Sequence, residues 1–339
     1  MPYAGARDKQ TLPQIALPPC TLIEYLHGMT TAFYTHANGE AHQTPPGHPE
    51  APARLAAIAD ALAEPDFAAL DRQSAPLANE ERVRLCHPQA YIDRIRRALP
   101  AAGIYQLDAD THVSNMSMQA ALRAVGGACA AVDRVLGAQG GNAFVAMRPP
   151  GHHAETEKPM GFCLFGTAAI SAKYAMQMYG LTRVAVVDFD VHHGNGTQDL
   201  LWDESRALFI SSHQMPLWPG TGNADETGAH GNVMNVPLKP GTDGAAFRRI
   251  YEDIVLPQLD RFAPELVIVS AGFDAHRDDP LAQLDLLEDD FAWVTGALCD
   301  VAAKHADGRL VSVLEGGYDL PALGRSVAAH VKVLMERSA

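Results

Sequence analysis

The sequence predicts an α/β fold with a mostly parallel sheet covered on both faces, and three observations carry that reading. Short apolar, largely β-branched runs recur at Val184–Val187, Leu266–Ser270 and Leu310–Leu314, the composition of strands buried on both faces. Segments with apolar residues at helical spacing separate them, and strand–helix alternation favours parallel pairing. No repeat, low-complexity block or interdomain linker divides the 339 residues, a length that one large α/β domain can fill.

Taken in order, 31–34 reads as an edge strand. TPPGHPEAPARL (44–55) is a Pro/Gly-rich loop opening a helix that runs to about Ala63. HPQAYIDRIRRAL (87–99) has helical spacing, and 107–136 starts as a loop and continues as a long Ala-rich helix capped at Ser114 or Asn115. A strand at 142–147 leads into RPPGHHAE, and 162–179 reads as a helix. The central strand, 183–189, is followed by a strand at 207–211 and a Gly/Pro loop at 214–232. A helix at 243–261, a strand at 266–270, a helix at 289–305, a strand at 310–314 and a final helix at 320–337 complete the chain.

Composition narrows the function. Hydrophobic residues make up 47% and charged residues 19%, ordinary for a globular protein, and the net charge is −14. So acidic a chain is repelled by phosphate backbones, which argues against nucleic acid as a partner. No apolar run is long enough to span a bilayer, so no membrane partner is expected. The cysteines Cys20, Cys86, Cys129, Cys163 and Cys299 are scattered, odd in number and lack a C-x-x-C pair, as suits reduced thiols in a cytoplasmic protein. Residues 1–28 lack the charge and apolar pattern of a signal peptide. They read as a disordered extension or a mis-called start ahead of Met29, leaving 29–339 as a single domain.

The chemistry begins at VAVVDFDVHHGNGT (184–197), where Asp188, Asp190, His192 and His193 arrive within six residues of a strand end. Open α/β sheets place ligands at the carboxyl ends of their strands. In extended chain Asp188, Asp190 and His192 share one side, and an oxygen and nitrogen donor set suits a borderline cation such as zinc. Three further strand ends deliver polar residues: RPPGHHA after 147, AGFDAH after 270 and EGGYD after 314.

Together, RPPGHHA, GFC, DFDVHHGNGT, the PGTG run, GFDAHRDDP and EGGYD resemble the zinc-dependent histone deacetylase family, in its bacterial class II-like branch, with acetylpolyamine amidohydrolases and acetoin-utilisation proteins as relatives. The likeness spans roughly 31–335 and several long motifs in order. It implies an arginase/deacetylase-like three-layer sandwich. It implies Asp190, His192 and Asp274 as zinc ligands, with a coordination position left open as a catalytic zinc needs; the physiological metal, zinc or iron, is left open. It implies His153 as general base and then acid, with His152 assisting electrostatically. Tyr318, freed by Gly316–Gly317, would donate to the oxyanion. Asp188 would accept from His152 and Asn195 from His153. Asn195 stands where many relatives have Asp, and a neutral amide leaves His153 less basic.

The resemblance further implies a structural potassium ion at Asp188, Asp190, His192, Ser211 and the Ser212 carbonyl, and a second monovalent site near Leu201, Glu204 and Ala207. Gly161, Phe162 and Trp218 would wall a tunnel around a methylene chain. Leu281 would stand where polyamine-selective members carry Glu, which argues against strict polyamine selectivity unless Glu155 or Glu157 does the gating. Cys163, with no activating context, reads as a buried residue rather than a nucleophile.

The implied activity is deacylation of acetyl-lysine-like linear amides, in a chain free to form a homo-oligomer. Acetylpolyamines and xenobiotic amides are alternatives. An arginase-like ureohydrolase is disfavoured because Gly194 and His276 occupy places where a second metal needs aspartates. A non-catalytic acyl-amine binder is disfavoured because no ligand, base or Tyr is missing.

Overall fold

The computed structural model describes residues 30–338, and the expectation for 1–28 lies outside them. Eight strands form one sheet, β1 (Ala32–Thr35), β2 (Asp71–Ser74), β5 (Asn142–Val145), β6 (Val184–Asp188), β7 (Ala207–Gln214), β8 (Val233–Leu238), β9 (Leu266–Ala271) and β10 (Leu310–Leu314), while β3 (Ile104–Gln106) and β4 (His112–Ser114) make a small antiparallel ribbon. The large sheet runs β2-β1-β5-β10-β9-β6-β7-β8. Every pairing in it is parallel, so the expected mostly parallel sheet is wholly so.

Alternation explains why the runs are apolar at every position. Val184, Val186, Leu266, Ile268, Val311 and Val313 pack on one face, against the helices Ser117–Leu136 and Thr167–Tyr179. Ala185, Val187, Val267, Val269, Leu310 and Leu314 pack on the other, against Ala53–Ala61, Glu288–His305 and Leu320–Arg337. Burying one such Val, Leu or Ile contributes about 1.5–3 kcal/mol, so both faces are needed to hold the sheet. The result is the three-layer sandwich that the sequence implied.

Five details differ from expectation. β1 is not an edge, because β2 pairs outside it. DRQS offers no apolar pattern; the backbone ladder holds it, helped by the Asp71–Arg134 ion pair and by Arg72 lying over the Phe33 ring. β8 forms the opposite edge, where Pro237, lacking an N–H, is tolerated. The helix expected from 162 starts at Thr167, since Gly161 and Phe162 take positive φ of 57° and 68°. The helix expected at 243–261 is split by a π turn, Tyr251–Val255, just ahead of Pro257, whose missing N–H breaks the regular ladder. Ser114 and Asn115 do not cap the long helix. It starts at Ser117, whose hydroxyl accepts from the Ser114 N–H at 2.7 Å.

Candidate active site

The parallel sheet sends β5, β6, β9 and β10 to the same rim, and the four polar strand ends meet there. Beyond Asp188 the chain leaves the ladder but keeps alternating: Phe189 and Val191 enter the core, while Asp190 and His192 face the rim. Asp190, His192 and Asp274 bring one donor atom each to within 4.8 Å of one another, all buried. His192 Nδ1 lies 3.3 Å from Asp190 Oδ1 and 3.0 Å from Asp274 Oδ2.

Backbone donors fix the carboxylates. Gly316 N–H donates to Asp190 Oδ2 at 2.8 Å, His192 N–H to Asp190 Oδ1 at 2.9 Å and Val191 N–H to Asp274 Oδ1 at 2.9 Å. Gly272 and Gly316 leave the required space: a Cβ on either would stand 2.0 Å or 2.3 Å from an Asp190 or Asp274 oxygen. Two buried carboxylates and an imidazole converging on one point suit a divalent borderline cation, which offsets the cost of burying like charges. These residues fit zinc.

The paired histidines differ sharply. His152 Nδ1 lies 2.9 Å from Asp188 Oδ2, and its Nε2 3.7 Å from Asp190 Oδ2. Burial would lower its pKa, but the charges of Asp190 and Asp188 outweigh burial and hold it well above the ordinary range. His153 is pushed well below its ordinary range, chiefly by burial and then by the positive charge of the adjacent His152. Its Nδ1 lies 2.8 Å from Asn195 Oδ1. The Asn195 amide nitrogen is spent on Glu155 Oε1 at 2.8 Å, so the amide presents oxygen and Nδ1 carries the proton. That leaves the His153 Nε2 lone pair free to take a proton. The two imidazoles thus sit in opposite electrostatic surroundings, His153 disfavouring and His152 favouring the charged form.

Tyr318 follows Gly316–Gly317 and lines a pocket of about 220 Å³ together with His153 and His192. The Arg54 guanidinium sits 4.9 Å from its ring centre and donates to Gly317 O at 2.7 Å. The expected tunnel residues Gly161, Phe162, Trp218 and Leu281 all line the same pocket, joined by Leu217 and Asp110. Phe162 meets Tyr318 edge-on at 5.8 Å, and Trp218 meets His153 edge-on at 4.7 Å. The left-handed Gly161–Phe162 pair is held by Asp110 Oδ1, accepting from Gly161 N–H at 3.0 Å, and Thr111 Oγ1, accepting from Phe162 N–H at 3.1 Å. At Gly161 a Cβ would stand 2.3 Å from the His153 ring, so only glycine passes there.

Asp188, Ser211 and Ser212, expected around potassium, are buried neighbours: Asp188 pairs with Ser211 across β6 and β7. Leu201, Glu204 and Ala207 form a tight turn through Glu204 N–H to Leu201 O and Ala207 N–H to Glu204 O. His276 is directed to Asp278 and Glu288 rather than to the Asp190–His192–Asp274 group, which weakens a two-metal ureohydrolase. Cys163 is fully buried and burial drives its thiol well above the ordinary range, so it is no nucleophile. Sequence reasoning missed Arg54, Asp110 and Glu315. Glu315 Oε2 accepts from Gly151 and His152 N–H at 2.7 and 3.1 Å, and burial pushes it up to about 7. Its place inside EGGYD was a usable signal, whereas Arg54 and Asp110 carry none in isolation.

Comparison with known proteins agrees with this geometry. The histone deacetylase domain family matches residues 48–334. Over 298 residues, 87% of this chain and 96% of the relative, the sequence is 43% identical to the uncharacterised protein slr0245 of Synechocystis sp.. It is 41% identical over 279 residues, 80% of this chain and 73% of the relative, to the histone deacetylase-like amidohydrolase of Pseudomonas aeruginosa. The crystal structure of the HDA15 HD domain matches with a TM-score of 0.86 at 33% identity, covering 91% of this chain and 88% of that one.

Proposed function

The chain belongs to the histone deacetylase family and is a deacetylase/amidohydrolase-type enzyme, and we propose that it is a zinc-dependent deacylase of linear acyl amides of the acetyl-lysine kind. The observation that carries this reading is that His192, which converges with the buried Asp190 and Asp274, lines one pocket with His153 and the Tyr318 side chain.

Asp190, His192 and Asp274 would hold the zinc. Zinc, when bound, supplies Lewis acidity that polarises the amide carbonyl and makes water nucleophilic near neutral pH. His153 Nε2 takes the proton as the water oxygen attacks the carbonyl carbon. Charged His152, held by Asp188, offsets the negative charge that develops nearby. Tyr318 donates its hydroxyl hydrogen bond to the oxyanion. His153 then returns the proton to the amine nitrogen as the carbon–nitrogen bond breaks, giving a carboxylic acid and a free amine. Phe162 and Trp218, both lining this pocket of about 220 Å³, offer aromatic walls that suit a methylene chain.

Acetylpolyamines are a second reading, supported by the Asp110 carboxylate at the pocket wall; the apolar Leu281 on the same wall favours the first. A structural potassium ion is proposed at Asp188, Ser211 and Ser212, and potassium titration against melting temperature tests it. A soluble cytoplasmic setting is proposed on the free, buried Cys86, Cys129, Cys163 and Cys299 and on the lack, among the described residues, of a helix long and apolar enough to cross a membrane. The deciding experiment is kcat/KM over acyl-lysine peptides, acetylpolyamines and simple anilides, before and after chelation and zinc reloading. A strong preference for acetylpolyamines overturns the substrate assignment, and activity indifferent to zinc overturns the mechanism.

A further inference from the structure

Asp279 lies in the DDPL run after β9 and is 5% exposed. Its carboxylate accepts three backbone N–H groups from two separate segments. Leu281 N–H reaches Oδ1 at 3.0 Å, while Tyr318 and Asp319 N–H reach Oδ2 at 2.7 and 3.3 Å. Leu281 and Tyr318 line the same pocket. From these contacts we propose that Asp279 is a positioning residue that locks the hydroxyl donor Tyr318 and the wall residue Leu281 into one rigid arrangement. The proposal rests on the oxyanion role given to Tyr318 above.

The local backbone shows why such a lock is needed. Tyr318 follows two glycines, and Gly317 takes a φ of 119°, so the chain ahead of it carries little intrinsic stiffness. Behind it, Asp319 caps the last helix through its side chain on Ala322 N–H at 2.9 Å. Tyr318 is therefore a joint between a glycine pair whose conformation only outside bonds fix and a capped helix. Arg54 supports the joint through Gly317 O and Glu315 O at 2.7 and 2.5 Å. Neither contact touches the Leu281 segment. Among the described residues, the hydrogen bonds that join that segment to Tyr318 all end on the Asp279 carboxylate. A donor displaced by about 1 Å can cost about 10²-fold in rate, so the lock acts on turnover as well as on binding.

The test uses the full chain, zinc-loaded, with an acetyl-lysine peptide as substrate, and records kcat, KM, zinc content and melting temperature for each variant. Asp279→Ala removes all three acceptors and should lower kcat by roughly 10²-fold with unchanged zinc. In a Tyr318→Phe background the same substitution should lower kcat by less than about threefold, because residues acting as a unit are non-additive. Asp279→Asn keeps one oxygen, which turns to the two-donor side. Its amide nitrogen then faces Leu281 N–H, so KM should rise several-fold while kcat falls by less than about threefold.

A full multiplicative loss in the double variant overturns the proposal and leaves the role of Tyr318 intact. Equal kcat losses in the Ala and Asn variants also overturn it, since the carboxylate charge would then act directly. An unchanged kcat in Tyr318→Phe alone overturns the oxyanion role and this proposal with it. If Asp279→Ala does not fold, the KM-against-kcat split of Asp279→Asn decides.

Discussion

Asp190, buried against the pocket-lining His192, and Trp218, on the pocket wall, are held in different ways. Asp190 is fully buried at a strand end, and two backbone N–H groups and the space left by Gly272 and Gly316 fix its carboxylate. Trp218 stands on a loop, is 42% exposed, and is placed by ring contacts with His153 and His192 at 4.7 and 6.1 Å. The floor is over-determined by directional bonds anchored in the sheet, whereas the rim is set by packing between loops. Changes to the floor should therefore remove chemistry, and changes to the rim should redistribute specificity.

The strongest way to break that contrast is at the floor. Asp274→Ala removes one of three converging donors and leaves Asp190 and His192 unable to hold a divalent ion tightly. Zinc content and activity should both fall to background, as should activity of the wild type after chelation, with recovery on zinc addition. Full turnover by metal-free Asp274→Ala protein would show that the Asp-His-Asp group is structural. Next in size is Tyr318→Phe. Removing one oxyanion donor should lower kcat by about 10²–10³-fold with zinc content unchanged, and an unaffected kcat would move that role to another group.

A smaller effect sharpens the electrostatic half of the comparison. His153 sits well below the ordinary histidine range because burial and the positive charge of the adjacent His152 disfavour its charged form. The wild-type acid limb of kcat/KM should accordingly lie below the usual histidine value, with the base unprotonated at neutral pH. Asn195→Asp puts a carboxylate against Nδ1 and favours the imidazolium, raising the pKa by roughly 1–3 units. Protonation then disables the base at higher pH, so the acid limb should move up while rates well above it change little. An acid limb that does not move would assign the base to a residue other than His153.

The smallest effect belongs to the rim. Leu281→Glu adds one partly exposed charge beside the pocket, worth roughly 0.2–1 kcal/mol toward a cationic substrate tail. The kcat/KM for acetylated polyamines should rise a few-fold relative to a neutral acetyl amide of equal length, and the gain should shrink at high salt. A wild type that already favours polyamines strongly would place the gate at Asp110, and the rim would then be as determined as the floor.

Much of the floor was legible in the sequence because its information is local. Apolar runs ending abruptly in HH, DFDVHHG, FDAH and EGGY state both that a buried strand ends and that polar atoms follow it, and a parallel sheet can deliver such ends only to one rim. That logic found the Asp190–His192–Asp274 cluster that could hold a metal, the histidine pair and Tyr318, while the roles proposed for them needed the family resemblance. The polar edge strand β2 and the Pro-bearing β8 escaped because backbone ladders need no side-chain pattern. The late start of the helix at Thr167 escaped because Phe162 is held left-handed by Thr111, a residue far away in sequence. Arg54 against Tyr318, Asp110 against Gly161 and Asp279 between two loops escaped for the same reason. A single charged residue in a sequence does not say which distant N–H or ring it will meet, so only tertiary packing decided how the tyrosine and the pocket walls are held together.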